Sequence, residues 1–272
     1  MTLLEALTTA IERLGGVSAR SDAEILLRHA VGLSRTALYS RIDQCINTDT
    51  TSEYFNSIER LKKGEPLQYI TGHMEFFGLD FSVSQSVLIP RPETEILVEK
   101  SIELAKTYQH PAIADVGCGS GAVAVALAKH LPEACITALD ISDEALKLAR
   151  TNATVHSCNN IVFHKSDLLE GVSADHFDVI CANLPYVPTA ESQTNHFEPQ
   201  LALDGGINGL DIIRRLVRQI AGRNNKPDWL LMEFGTGQAM AVKATIEEYL
   251  PLSHTEILYD LIPVERVSVT RL

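Results

Sequence analysis

The sequence predicts an α/β protein: seven short strands, mostly parallel, covered by helices on both faces and preceded by a small helical domain. Three observations carry that reading. Beyond residue 92, short apolar runs alternate with segments of helical spacing, the pattern of strand and crossover helix. A glycine-rich turn, Asp115-Val116-Gly117-Cys118-Gly119-Ser120-Gly121, joins the first of those runs to the helical segment that follows. Residues 1–64, by contrast, place their apolar side chains at helical spacing. With 272 residues, 45% hydrophobic and 21% charged, the chain is long enough for one large domain or two smaller ones.

Leu3, Leu4, Leu7, Ile11 and Leu14 define a first helix that Gly15-Gly16 stop. Ser21-Asp22 precede a second run from Ala23 to Val31, Ser34 precedes a short third, and Asp49-Thr50-Thr51-Ser52 precede a fourth that ends near Lys63-Gly64. About four helices are therefore expected in residues 1–64. Residues 65–91 read as a linker that holds a β-hairpin between Met74 and Val83. The second domain, 92–272, opens with a helix from about Glu93 to Tyr108. Its expected strands are Ala112 to Val116, Cys135 to Leu139, Ile161 to His164, Phe177 to Ala182, Trp229 to Phe234, His254 to Tyr259 and Val264 to Thr270. Helices are expected near Ala122 to His130, Asp143 to Val155, Leu210 to Ala221 and Gln238 to Tyr249. No helical segment separates the last two strands, so they should form an antiparallel hairpin around Pro263.

A formal charge of −12 argues against a chain whose main work is neutralising nucleic-acid phosphates, and suits a protein or small-molecule substrate. Five scattered cysteines with no C-x-x-C pair point neither to a disulfide framework nor to zinc. The nine histidines show no ligand spacing, so no metal is expected. Met1-Thr2-Leu3-Leu4-Glu5 carries no basic segment and no apolar run reaches spanning length, so a cytoplasmic protein without membrane contact is expected.

The glycine turn is the first candidate site. Three glycines in five residues, Gly117, Gly119 and Gly121, let backbone bend tightly and approach a ligand, whereas an ordinary strand-to-helix turn needs one. Gly117, Gly119 and Ala122, with Asp140 about 20 residues on, also meet the relaxed dinucleotide fingerprint, so the motif alone does not exclude NAD. Asp115 discriminates: it would repel a pyrophosphate and attract the ammonium group of S-adenosylmethionine. Asp140 has the two oxygens a ribose diol needs, and its bland alternative is a cap for the helix after Ile141-Ser142. At the end of the third strand, Ser166-Asp167-Leu168 offers a polar residue to bond an adenine amino group and an apolar neighbour to cover its ring, and its bland alternative is a helix entry.

The second candidate is Asn183-Leu184-Pro185-Tyr186, where a buried strand ends. A carboxamide, a rigid proline turn and an aromatic ring meet there and suit a planar group bearing an NH2. The bland reading is a strand-ending turn with a half-buried tyrosine. Glu233, ending the fifth strand of the domain, is either functional or an acid covering a helix start.

With these stand Ile89-Pro90-Arg91-Pro92-Glu93-Thr94-Glu95, Glu65-Pro66-Leu67-Gln68-Tyr69-Ile70-Thr71-Gly72, and Glu198-Pro199 with Ala202-Leu203-Asp204-Gly205-Gly206. The combination resembles the bacterial protein-glutamine N5-methyltransferases, the PrmC/HemK family, that modify peptide chain release factors. The resemblance spans both domains and implies a seven-stranded, Rossmann-like class I methyltransferase sheet with S-adenosylmethionine as cofactor. It implies methylation of the glutamine in the Gly-Gly-Gln tripeptide of class 1 release factors. Carried over by position, Gly117, Cys118, Gly119, Ser120 and Gly121 line the methionine and ribose part of the cofactor, Asp140 holds the ribose and Leu168 sits by the adenine. Asn183, Leu184, Pro185 and Tyr186 would hold the substrate glutamine, with Asn183 also near the cofactor. One position departs: the family usually reads Asn-Pro-Pro-Tyr, and Leu184 stands at the first proline, keeping a backbone carbonyl but not the fixed φ. A monomer with no direct nucleic-acid contact is expected. The competing readings are methylation of a ribosomal-protein glutamine or of adenine N6, a cofactor-binding module that has lost chemistry, and an NAD-dependent oxidoreductase.

Overall fold

The computed structural model describes residues 1–172 and 176–272. They form two compact units, Met1–His73 and Met74–Leu272. In the first, helices α1 (Leu3–Leu14), α2 (Ala19–Val31), α3 (Arg35–Ser40), α4 (Thr48–Lys62) and α5 (Leu67–Thr71) enclose a core of Leu7, Leu26, Leu27, Leu38, Tyr54, Ile58 and Ile70. Thr2 and Glu5 close a capping box on α1, and Gly15 ends it with φ 61°. Two starts lie upstream of their expected positions. α2 begins at Ala19, so Ser21 and Asp22 sit within its first turns; α4 is capped by Asn47, whose side chain accepts the Thr50 N–H at 2.8 Å. The fifth helix was not expected: Pro66 and Gly72 bracket a single turn that packs Ile70 into this core. Residues 65–91 are thus shared between the units rather than set apart. α5 belongs to the first, and Phe76 and Phe81 of the hairpin strands β1 (His73–Phe76) and β2 (Leu79–Ser82) belong to the core of the second.

The second unit continues with a 3₁₀ turn (Pro92–Thr94), α6 (Glu95–Ala105), β3 (Ala112–Val116), α7 (Ala122–His130), β4 (Cys135–Asp140), α8 (Asp143–Val155), β5 (Ile161–Lys165) and β6 (Val179–Ala182). Two short helices, α9 (Thr189–Ser192) and α10 (Gln200–Leu203), lead to α11 (Asp211–Ala221), β7 (Trp229–Glu233), α12 (Ala239–Tyr249), β8 (His254–Tyr259) and β9 (Glu265–Arg271). The sheet has seven strands in the order β5-β4-β3-β6-β7-β9-β8, parallel except at β9, which is antiparallel to both β7 and β8. The expected fold is borne out, including the closing antiparallel hairpin. Alternation assigns the two faces: Ile113, Val179, Cys181 and Leu231 join one core with α6, α7 and α8, while Ala114, Val116, Ile180, Ala182 and Met232 join the other with α11 and α12. Both faces are covered, which is why these strands read as unbroken apolar runs.

Strand order reverses at β3, since β4 and β5 extend the sheet to one side and β6 and β7 to the other. Ligands in open α/β sheets bind outside the carboxyl ends of the strands at such a switch point. The glycine turn leaves β3 there, and Asn183 leaves β6 beside it, because Val116 and Ala182 pair in register.

Candidate active site

A cavity of about 710 Å³ opens at this switch point, large enough for a nucleoside-sized ligand together with a side chain. Its wall includes Asp115, Gly117, Cys118, Gly119 and Ser120 of the glycine turn, Asp140, Asp167 and Leu168, and Asn183, Leu184 and Pro185. Two expected residues stand outside that lining. Gly121 faces α8 instead: a Cβ there would lie 2.9 Å from Ala149 Cβ, so this glycine lets α7 and α8 meet. Tyr186 is set back behind the wall, its hydroxyl donating to Glu233 Oε1 at 3.2 Å and its carbonyl accepting from Gln238 Nε2 at 2.9 Å.

Strand ends and helix starts build the turn. Gly117 and Cys118 N–H both donate to the Leu139 carbonyl at 2.8 Å, holding the end of β3 against β4. Gly119 N–H donates to Asp140 Oδ2 at 2.8 Å, and Ser142 N–H to Oδ1 at 2.9 Å. Asp140 does not cap α8; Ser142 does, its hydroxyl accepting the Ala145 N–H at 3.2 Å. A carboxylate has about four lone-pair sites. Each Asp140 oxygen therefore keeps capacity toward a diol after serving its backbone donor. Burial raises the Asp140 pKa, and the N–H groups of Ser142 and Gly119 work the other way.

Asp115 is 1% exposed and accepts the Ala124 N–H of the first turn of α7 at 3.0 Å. Burial pushes its pKa up to about 7, with Asp140 adding to the rise. Two carboxylates that repel each other on one cavity wall are a poor seat for a pyrophosphate. They are a good one for a cationic amino group, which weighs against a dinucleotide. At the far end, Asp167 pairs with Arg215 at 2.6 Å, and Leu168, 7% exposed, adopts φ 54°. A leucine held in the left-handed region is strained by roughly 1–3 kcal/mol, and such residues cluster at ligand sites. It lines the cavity beside Asp167.

On the β6 side, Asn183 Nδ2 donates to Thr94 Oγ1 at 3.0 Å, and Asn183 Oδ1 accepts no hydrogen bond from the described residues. Thr94 comes from the 3₁₀ turn before α6 and is 4% exposed. Leu184 is 4% exposed, and a Cβ on Gly117 would lie 3.1 Å from its Cδ2. Its side chain thus fills the gap between the tetrapeptide and the glycine turn. The segment after α10 backs the tetrapeptide: Gly205 N–H donates to the Val187 carbonyl at 2.9 Å, and a Cβ at Gly205 would come within 2.6 Å of the Pro185 oxygen. Glu198 accepts from Arg91 Nη2 at 2.6 Å, from Asn195 Nδ2 at 3.0 Å and from Ile89 N–H at 3.3 Å, tying the segment before α6 to the loop after β6. Thr94 and Glu198 lay within the quoted motifs without a role, and Glu233 covers no helix start, since α12 begins at Ala239.

Residues 5–72 match the family profile described as "PrmC N-terminal domain", and residues 92–200 the "Methyltransferase small domain". A release factor glutamine methyltransferase of Koribacter versatilis is 39% identical over 280 residues, covering 100% of this chain and 99% of that protein. The chain belongs to the release factor glutamine methyltransferase family. A second relative of that name, from Geobacter sulfurreducens, is 42% identical over 84% of this chain and 81% of its own length. Among solved structures, the ribosomal protein L11 methylase of Lactobacillus delbrueckii aligns at TM-score 0.51 and 22% identity, over 70% of this chain and 83% of its own. A methyltransferase from Pyrococcus furiosus aligns at 0.52 and 15%, over 83% and 98%. Those two likenesses show the fold.

Family and fold make the chain a methyltransferase with S-adenosylmethionine as its cofactor. The cavity fits that group. Asp140 would hold the ribose hydroxyls, Asp115 face the cationic amino acid end, and Leu168 cover the adenine. Bound there, the cofactor supplies an electrophilic methyl on a sulfonium.

Proposed function

We propose that the chain methylates the side-chain amide nitrogen of the glutamine in the Gly-Gly-Gln tripeptide of class 1 release factors. The observation that carries this reading is the tie between Asn183 Nδ2 and Thr94, which leaves Oδ1 as the carboxamide's acceptor. An amide nitrogen is a poor nucleophile because its lone pair is shared with the carbonyl. The site must therefore orient the NH2 and stabilise the charge that grows on nitrogen. Asn183 Oδ1 and the Leu184 carbonyl would accept the two amide hydrogens, aiming the remaining lone pair along the line of transfer. The proton becomes acidic as the new bond forms, so no strong base is required beforehand. Pro185 stiffens the turn that presents these acceptors, and Glu233 holds Tyr186 behind it.

The relatives' name points to a release factor as acceptor, and the net charge of −12 fits a protein acceptor better than nucleic acid. Among the described residues no helix is long and apolar enough to cross a membrane. A cytoplasmic monomer meeting release factors in solution accords with this reading. Incubation with methyl-labelled S-adenosylmethionine and a purified class 1 release factor tests it: label is expected on the Gly-Gly-Gln glutamine. A release factor that stays unlabelled would overturn the reading.

A further inference from the structure

Behind the amide clamp lies a buried polar chain, of which the reading above uses only the Asn183–Thr94 and Tyr186–Glu233 links. Glu233, at the end of β7, is 1% exposed, and its Oε2 has no partner within hydrogen-bond distance among the described residues. Its Oε1 accepts the Tyr186 hydroxyl at 3.2 Å. Leaving a buried carboxylate oxygen unpaired is costly unless it serves another group. Thr94 has the complementary vacancy. Its Oγ1 accepts Asn183 Nδ2 and its hydroxyl makes no capping bond to α6, which leaves its proton for the neighbouring Glu233 carboxylate. The two are electrostatic neighbours: burial raises the Glu233 pKa, while the hydroxyls of Thr94 and Tyr186 and the charge of Arg266 lower it and Glu93 adds to the rise.

A hydroxyl has one proton, and a carboxamide has one donor end and one acceptor end. If the Thr94 proton goes to Glu233, Thr94 can only accept from Asn183, so the carboxamide must place Nδ2 toward Thr94 and Oδ1 toward the cavity. Reversing the hydroxyl would let Asn183 flip and present an NH2 to the substrate NH2, two donors face to face. We propose that Glu233 and Thr94 are positioning residues: Glu233, by accepting the Thr94 hydroxyl, fixes which end of the Asn183 carboxamide meets the substrate amide, and by accepting the Tyr186 hydroxyl anchors the same turn from behind. This rests on the glutamine-methylation reading and adds to it two residues that act through Asn183 and Tyr186.

The test compares Thr94→Val, which keeps the shape and removes the hydroxyl, with Thr94→Ser, which keeps the hydroxyl. Full-length protein, a class 1 release factor and S-adenosylmethionine are used, with kcat, KM and cofactor Kd measured separately and folding checked by thermal melting. The expected result is a fall in kcat of about 10- to 100-fold for T94V, the scale of one mis-set hydrogen bond, near-unchanged cofactor Kd, and activity within about threefold of wild type for T94S. Glu233→Gln should also lower kcat, since it replaces one of the two acceptor oxygens with an NH2 and leaves one of the two hydroxyls facing a donor. Should T94V fail to fold, E233Q carries the same test. Equal losses in T94V and T94S, wild-type kcat in T94V or in a folded E233Q, or a loss confined to cofactor Kd would overturn the inference while leaving glutamine methylation intact. An inactive wild-type protein would instead remove the reading on which it rests.

Discussion

Truncating Leu184 to alanine separates packing from chemistry at the clamp. The side chain is 4% exposed, belongs to the core beneath the sheet, and fills the space against Gly117. Leucine-to-alanine changes in cores cost about 2–5 kcal/mol. Because Leu184 also borders the open cavity, the lost volume connects to solvent rather than forming a sealed void, which favours the low end, about 2–3 kcal/mol. In a unit of this size that corresponds to a fall in melting temperature of roughly 4–12 °C. The backbone carbonyl that would accept an amide hydrogen stays in place. Well below the transition, kcat on a release factor should therefore fall less than about tenfold. Differential scanning calorimetry and steady-state methyl transfer on the same preparation give both numbers. An unchanged melting temperature with kcat down a hundredfold or more would refute the division, since the side chain would then act in the reaction rather than in packing.

Gly121→Ala forces a methyl to within 2.9 Å of Ala149 Cβ at φ 78°, so urea unfolding should show a loss of at least about 2 kcal/mol. Asp140→Asn turns an NH2 toward one of two backbone N–H donors; calorimetric titration should show cofactor affinity weakened at least tenfold. Asp115, with an ordinary pKa of 3.8 raised to about 7, binds its proton more tightly folded than unfolded. Its stabilising contribution is complete below 3.8 and is lost as pH rises through about 7. Chemical unfolding of the cofactor-free protein across that range should fall less steeply with pH for Asp115→Asn than for wild type. If the cofactor's amino group meets Asp115, binding near neutral pH should also release a proton, read as a buffer-dependent binding enthalpy.

Most of the fold was legible because local signals and burial agree. α7 and α8 run from Ala122 to His130 and from Asp143 to Val155, as expected, because Gly121 breaks the chain before one and Ser142 caps the other. The start of α2 is less legible because Ser18 precedes it in helical geometry with no side-chain capping bond, while Ser21-Asp22 carry stronger capping chemistry inside the helix. The convergence of polar residues on one cavity was legible where they sit next to a strand end, as at Asp115, Asp140 and Asn183. What could not be read was how distant segments share hydrogen bonds. Thr94 and Asn183 are 89 residues apart in sequence, Tyr186 and Glu233 are 47 apart, and Arg91 and Glu198 are 107 apart. Nothing in a local pattern distinguishes Gly121, which serves helix packing, from Gly119, which borders the cavity.

The most direct measurement is peptide mass spectrometry of a class 1 release factor after incubation with the wild-type protein or Asn183→Ala and S-adenosylmethionine carrying a deuterated methyl. The account predicts a labelled methyl on the glutamine of Gly-Gly-Gln with wild type, and a rate lower by roughly 100- to 1,000-fold with the variant. Label on any other residue, or equal labelling by both proteins, would contradict it.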